Sequence, residues 1–279
     1  MKIILGLSVL FAAALALPLD DGVEYYVESR ITGGEVAIPN QFPYQVGMEM
    51  EKIRQGKHVF TWCGGSLLSE TIVVTAAHCL NQALNAIVMF GAHDRYAAEE
   101  PGRIMMDISP KNMIVHEKYN RVSSENDIAL IILPRKVPLT KIIQTINLPR
   151  LSQKSEKFVN ALAIISGWGR KGDGPQDSGV RELRFVPRTI LPDENCKRVF
   201  PMYKGYSQIC VDGDGQKSAC SGDSGGPLAI TEADGSKTLI GLTSYGRANG
   251  CQKNFPVSYT RITAYLDWIA QKSGLQMRE

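Results

Sequence analysis

Three short stretches of this sequence carry residues that could act together on a carbonyl carbon: TAAHC with His78, NDIAL with Asp127 and GDSGGP with Ser224. A serine hydroxyl is a poor nucleophile until a neighbouring base takes its proton, and histidine titrates in the range that suits this exchange. A carboxylate on the far ring nitrogen fixes the tautomer and steadies the imidazolium that forms. Glycines around the serine allow a sharp turn that directs backbone N–H groups at a developing oxyanion. Each stretch alone is weak. A histidine beside a cysteine, an aspartate before an apolar strand and a glycine-rich turn all have ordinary structural uses, so the signal lies in their joint, ordered presence.

The elements that must position these residues are short. From Ile31 onward, apolar runs such as TIVVTAA, AIVMFGAH, NMIVH, DIALIIL, ALAIISGWG and TLIGLTSYG recur between Gly, Pro, Asn and Asp. That pattern predicts an antiparallel all-β sandwich or barrel. One helix is predicted at the end, from about Thr263 to Lys272, with Ile262, Leu266, Ile269 and Ala270 on one face and Gly274 as its stop. GDSGG also satisfies the G-x-S-x-G elbow of α/β-hydrolase esterases, but that fold runs serine, acid, histidine through alternating strands and helices. Here the order is His78, Asp127, Ser224, with Pro227 after the glycines.

The chain has 279 residues, 44% hydrophobic and 21% charged, within the range of ordinary globular domains. A formal net charge of +3, without basic clustering, gives no footprint for nucleic acid. Lys2 followed by the apolar run Ile3 to Ala16, ending Ala-Leu-Ala, reads as a secretory signal peptide over residues 1–16. The run is shorter than the roughly 20 residues of a spanning helix, and no later segment is long and apolar enough, so no membrane span is expected. In an oxidising compartment the six cysteines, Cys63, Cys79, Cys196, Cys210, Cys220 and Cys251, read as disulfides, with 15 pairings open. No Asn-x-Ser/Thr sequon occurs. VDGDGQK lacks the turn glycine of a calcium-binding EF-hand loop and reads as a solvated turn.

With RITGG, CGGSLLS, TAAHC, NDIAL, GWG, SACSGDSGGP, TSYG and SYTRI in this order, the chain from Ile31 onward resembles a chymotrypsin-family serine endopeptidase zymogen. The resemblance implies two antiparallel β-barrels with the active site in the cleft between them and a C-terminal α-helix. Residues 17–30 would be an activation propeptide and 31–279 the protease domain, its halves meeting near residue 145. His78 would be the general base and then acid, Asp127 its orienting carboxylate and Ser224 the nucleophile, with Ser244 bonding near Asp127. The N–H groups of Gly222 and Ser224 would form the oxyanion hole. Cys63 would pair with Cys79, Cys196 with Cys210 and Cys220 with Cys251. Ala92 stands where the family's calcium loop usually supplies glutamate, so no metal and no cofactor are expected.

The same resemblance gives a purpose to the bond between Arg30 and Ile31. Cleavage there would free an ammonium on Ile31 to neutralise Asp223, a carboxylate expected to be buried beside the nucleophile. Breaking such a buried pair by removing one partner costs about 3–5 kcal/mol, enough to switch the cleft between disordered and assembled. Removing residues 1–30 leaves 29 bases and 24 acids, a net +5. The expected partners are protein or peptide substrates, a trypsin-like activating protease and protein inhibitors, with no nucleic acid or membrane, for a secreted monomer.

Specificity would reside in one pocket. Ser218, six residues before Ser224, stands where trypsin-like enzymes carry aspartate, so cleavage after Lys or Arg is not expected. Gly246 leaves one wall open, and Val257 replaces the usual glycine and narrows the space. Tyr245 replaces the usual tryptophan, and Arg247 lies at the rim. An elastase-like preference for Ala, Val or Leu is expected, with a chymotrypsin-like preference for Leu, Phe or Tyr as the alternative. His58, His93 and His116 are expected at the surface. A catalytically silent, protease-like binding protein is the competing class, but such proteins lose a triad residue and none is missing here.

Overall fold

The computed structural model describes residues 33–279 except 175, 176, 178 and 249. The expected signal and propeptide, with Arg30 and Ile31, lie outside the described residues. The elements run β1 (Glu35–Val36), β2 (Gln45–Arg54), β3 (Lys57–Ser69), β4 (Ile72–Thr75), α1 (Ala77–Leu80), β5 (Ala83–Phe90), β6 (Ile104–Ile108), β7 (Met113–Val115) and β8 (Ala129–Ile132). They continue with β9 (Leu162–Gly167), β10 (Arg184–Thr189), α2 (Asp193–Val199), β11 (Gln208–Val211), β12 (Pro227–Thr231), β13 (Lys237–Tyr245), β14 (Val257–Arg261) and α3 (Leu266–Ser273).

These strands form two seven-stranded antiparallel half-barrels, β6-β5-β2-β3-β4-β8-β7 and β1-β10-β9-β12-β13-β14-β11. The all-β expectation holds. Period-two alternation is plain on β2, where Val46, Met48 and Met50 point into the first barrel while Glu49 is exposed. β4 reads as an unbroken apolar run because both of its faces are covered. Val73 faces the barrel interior, whereas Ile72 and Val74 join the layer between the two halves. That layer also takes in Phe42, Trp168, Leu242 and Ile269. The second barrel has its own core, with Ile165, Val186, Ile209, Leu228 and Tyr259.

Two departures from simple sequence order matter. β1 precedes every strand of the first sheet yet pairs with β10 in the second. The C-terminal segment returns to the first half, where Trp268 Nε1 donates to Glu117 and Tyr265 Oη to Asn126. The predicted final helix begins as a tighter 3-10 turn over Ile262–Tyr265, becomes α-helical from Leu266 and stops at Gly274, whose φ of 74° suits glycine. The further helix α2 escaped the sequence reading because its seven residues carry almost no apolar stripe: Cys196 alone is buried. Three disulfides, Cys63–Cys79, Cys196–Cys210 and Cys220–Cys251, clip loops of each half. No helix among the described residues is long and apolar enough to cross a membrane.

Candidate active site

The chain turns from β4 into α1, and this short helix carries His78 between buried Ala77 and Cys79. The Cys63–Cys79 bridge ties the helix to β3. Asp127 sits just ahead of β8 and is 1% exposed. Its Oδ1 accepts from the His78 backbone N at 2.8 Å. Its Oδ2 accepts from His78 Nδ1 at 2.8 Å and from Ser244 Oγ, on β13 of the other half, at 2.6 Å. Thr260 Oγ1 donates to the Asp127 carbonyl at 2.6 Å and anchors the same loop to the second half. Burial alone would raise the Asp127 pKa. The opposing His78 charge and three donated hydrogen bonds outweigh it and bring the carboxyl below its ordinary range. Asp127 therefore stays ionised and holds the Nδ1 proton, while Nε2 lies 3.8 Å from the Cys79 sulfur.

Ser224 reaches the cleft from the loop before β12. Its carbonyl accepts from Gly64 N at 2.7 Å, so the loop is docked on the first half. The dock requires glycine at the next position: a methyl on Gly225 would overlap Thr75 Oγ1 and the Gly64 carbonyl. Thr75 itself donates to that carbonyl at 2.8 Å. Ser224 is thus held beside the segment that leads into α1, while its hydroxyl forms no hydrogen bond to His78 in this structure; such bonds commonly tighten only with substrate bound. Among the described residues, neither the Gly222 nor the Ser224 N–H has an intramolecular acceptor. Two free donors beside a serine hydroxyl are what a tetrahedral oxyanion requires.

The model of the Trypsin family matches residues 31–269 of this chain. The chain is 32% identical over 278 residues to the collagenase of Hypoderma lineatum, covering 99% of each sequence. To the chymotrypsin-C of Mus musculus it is 35% identical over 277 residues, covering 97% of this chain and 100% of that one. The solved structure of HL collagenase superposes with a TM-score of 0.75 at 33% identity, over 88% of this chain and 99% of that one. The chain belongs to the chymotrypsin-like serine proteases. It is a serine endopeptidase with the two-barrel fold of that family.

Beside Ser224 opens a cavity of about 480 Å³ whose lining includes Ser218, Cys220, Ser244, Tyr245, Gly246 and Val257. Ser218 is 1% exposed and its hydroxyl donates to the Ala219 carbonyl, so this position brings no charge to the lining, whose charged members are Arg170, Asp173 and Arg247. Val257 is 7% exposed, and a side chain on Gly246 would meet its Cγ2 in ordinary contact at 3.7 Å. Tyr245 donates from its hydroxyl to Gln208 and stacks edge-on against Phe200. The charged residues of the rim escaped the sequence reading in part. Asp173 accepts from the N–H groups of Cys251 and Gln252, which commits both its oxygens to backbone. Arg247 lies over the Phe255 ring at 4.4 Å.

Asp223 is fully buried beneath the nucleophile loop. Its oxygens accept from Gly169 N at 2.8 Å and Cys220 N at 2.9 Å, and its carboxyl packs so closely on Gly167 and Gly169 that any side chain there would overlap it. Burial raises its pKa from the ordinary 3.8 to about 6, against the opposing pull of the two N–H groups and of Arg95. Arg95 gave no sequence signal. It stacks over Trp62 at 4.6 Å, and its position near Asp223 follows only from the tertiary fold.

The loop from Gly91 to Arg103 is closed by a guanidinium. Arg103 Nη2 donates to the Ala97 and Ala98 carbonyls at 2.8 and 2.9 Å, and Nη1 reaches Glu100 at 3.4 Å. Glu100 in turn accepts from His93 N and Asp94 N. Two groups of possible metal ligands occur among the described residues, but each contains bridged cysteines, whose sulfurs are already bonded. Asp212, in the VDGDGQK turn, accepts from Arg188 and Thr189 N. Of the remaining histidines, His58 is exposed and paired with Glu51. His93 and His116 are partly buried rather than at the surface, and His116 packs between Tyr265 and Trp268 because α3 folds back over it.

Proposed function

We propose that the chain is secreted as a zymogen and, once cut after Arg30, hydrolyses peptide bonds that follow small to medium apolar residues. The observation that carries the catalytic part is the Asp127–His78 pair, bonded at two atoms and completed by Ser244. In this reading His78 Nε2 takes the Ser224 proton as Oγ attacks the scissile carbonyl carbon. The resulting oxyanion is held by the N–H groups of Gly222 and Ser224. His78 then gives its proton to the departing amine, leaving an acyl-enzyme. Water enters, loses a proton to His78 and attacks the ester, and return of that proton to Ser224 Oγ releases the acid and restores the site.

The uncharged Ser218 supports apolar substrates, and Val257 beside Gly246 supports the smaller ones. A chymotrypsin-like preference for Leu, Phe or Tyr is the second reading, favoured by the cavity's volume. One methylene changes selectivity by only about 1–3 kcal/mol in such a pocket, so discrimination is broad. Activation is supported by Asp223, a buried carboxyl that ionisation leaves costly until an ammonium arrives. The activating partner is then a protease that cleaves after arginine, and the working form is a monomer open to protein substrates and inhibitors.

The test uses full-length protein, before and after limited cleavage at Arg30, and chromogenic peptides that differ only in the residue before the cut. The expected result is turnover in processed material alone, fastest on Ala, Val or Leu, with a serine-directed covalent inhibitor labelling Ser224. Fastest turnover on arginine refutes the pocket reading, and equal activity of intact protein refutes the zymogen.

A further inference from the structure

The outer face of an antiparallel barrel is ordinarily polar. Exposed Glu49 on β2 marks that face of the first barrel, and its ladder partners Trp62 and Ile87 share it. The rest of the face is apolar: Phe60, Trp62, Ile87, Met89 and Met105, with Tyr96 beside them, line a cavity of about 440 Å³. Phe60, Tyr96 and Met105 are left exposed. Arg95 lies between two of the rings, 4.6 Å from Trp62 and 4.4 Å from Tyr96. Its Nη2 donates to Tyr96 Oη, its Nε has no partner, and among the described residues it forms no ion pair. Asp223 feels this charge only from beyond ion-pair distance. The other guanidinium of the lining, Arg103, is spent on its own loop.

We propose that this groove is the docking site of the propeptide, residues 17–30, and holds it without a covalent link after the cut. The inference rests on the reading of that segment as one severed at Arg30. The stretch LPLDDGVEYYVESR sets four acids, Asp20, Asp21, Glu24 and Glu28, against one base, a net −3, where the remainder of the chain from Ile31 is +5. Glu24 adjoins Tyr25 and Tyr26, so a carboxylate arrives together with two rings. An unpaired guanidinium between aromatic rings, over an exposed apolar floor, is complementary to that combination. The reach suffices. The described chain begins at Gly33, four residues before Ala37, whose N–H donates to the Leu183 carbonyl. Leu183 and Arg181 bond in turn to His93 and Arg95. Those four residues span about 14 Å, whereas the nine from Gly33 back to Glu24 span up to about 30 Å.

The test is the binding of a fluorescent synthetic peptide of residues 17–30 to Ser224→Ala protein that has been cut at Arg30 and stripped of its own propeptide by gel filtration at high salt. The expected result is saturable binding in the micromolar range, weakened about tenfold by Arg95→Gln, by Phe60→Ala or by Glu24→Gln in the peptide. Phe60 lies at the surface, so its variant tests the groove even where Arg95→Gln fails to fold. The uncut Ser224→Ala chain, its groove filled from within, should bind the peptide at least about tenfold more weakly than the cut chain. Absence of saturable binding overturns the inference, and so does equal affinity of cut and uncut chain. Affinity untouched by either groove variant places the peptide elsewhere, the catalytic cleft included, and overturns it too. A different occupant would show itself without peptide binding: a second copy as dimerisation of cut protein that Phe60→Ala abolishes, a substrate segment as a kcat/KM loss in the groove variants confined to long substrates. Either result overturns the inference. Tight, groove-dependent peptide binding to a cut enzyme that hydrolyses nothing would sink the zymogen reading and leave this inference standing.

Discussion

Asp223 offers the sharpest energetic test of the activation mechanism. Its carboxyl has an ordinary pKa of 3.8 in the unfolded chain and about 6 in the folded site. The folded state therefore binds this proton more tightly. Stability is highest below the unfolded value, falls as pH rises from about 4 to about 6, and levels beyond. One pKa unit corresponds to about 1.4 kcal/mol, so ionised Asp223 costs the uncut chain about 3 kcal/mol at pH 7. Replacing Asp223 with Asn removes the ionisation but sets an amide against Gly169 N or Cys220 N, at a pH-independent cost of about 1–3 kcal/mol. In uncut protein carrying Ser224→Ala to block self-cleavage, D223N should therefore gain about 2.4 kcal/mol relative to its parent between pH 4 and pH 7. In processed protein the sign reverses, because the substitution there breaks an ion pair worth about 3–5 kcal/mol when one partner is lost. Urea unfolding of the four proteins at the two pH values measures both terms. A D223N-to-parent difference that is the same at pH 4 and pH 7 in uncut chain refutes the buried ionisation. Identical behaviour of uncut and processed chain refutes the latch.

Three further outcomes follow from the site. Asp127→Asn should lower kcat by about 10⁴ in processed enzyme, because the amide presents a donor to His78 and favours the wrong tautomer; the figure is that of the family's triad, and a loss below tenfold in steady-state kinetics removes Asp127 from the mechanism. Val257→Gly should shift preference toward Phe and Tyr over Ala and Val by about 1–3 kcal/mol in kcat/KM ratios, and unchanged ratios across the peptide panel would mean that Val257 does not line the working pocket. Arg103→Ala strips a cation from a loop that includes Glu100 and should destabilise the fold by about 3 kcal/mol, while a chelator leaves the parent's thermal midpoint unmoved; a midpoint that falls with chelator points to a metal in that loop.

The chemistry was legible in the sequence where it depends on residue type and order along the chain. The order of His78, Asp127 and Ser224 set aside the esterase arrangement, and the absence of a charge at Ser218 is a matter of one letter. The short apolar runs predicted β5, β8 and β13 for the same reason: periodicity and turn residues are local properties. The helix α2 was missed because seven residues with one buried side chain carry no periodic signal.

Tertiary structure decided what depends on register and long-range approach. The partner of Lys52 is 26 residues away, and its inward position only becomes meaningful once β2 and α1 meet. Asp173 looks like a free acid at a pocket until the backbone of Cys251 and Gln252 takes both its oxygens. Arg103 is held by Asp94, Ala97, Ala98 and Glu100 of its own loop, and Asp223 becomes a costly acid only when the fold buries it against Gly167 and Gly169. Sequence names the groups that can react because reactivity belongs to side chains. Which of those groups stay charged, and at what pH, is set by burial and by neighbours from distant strands, and these exist only in the folded chain.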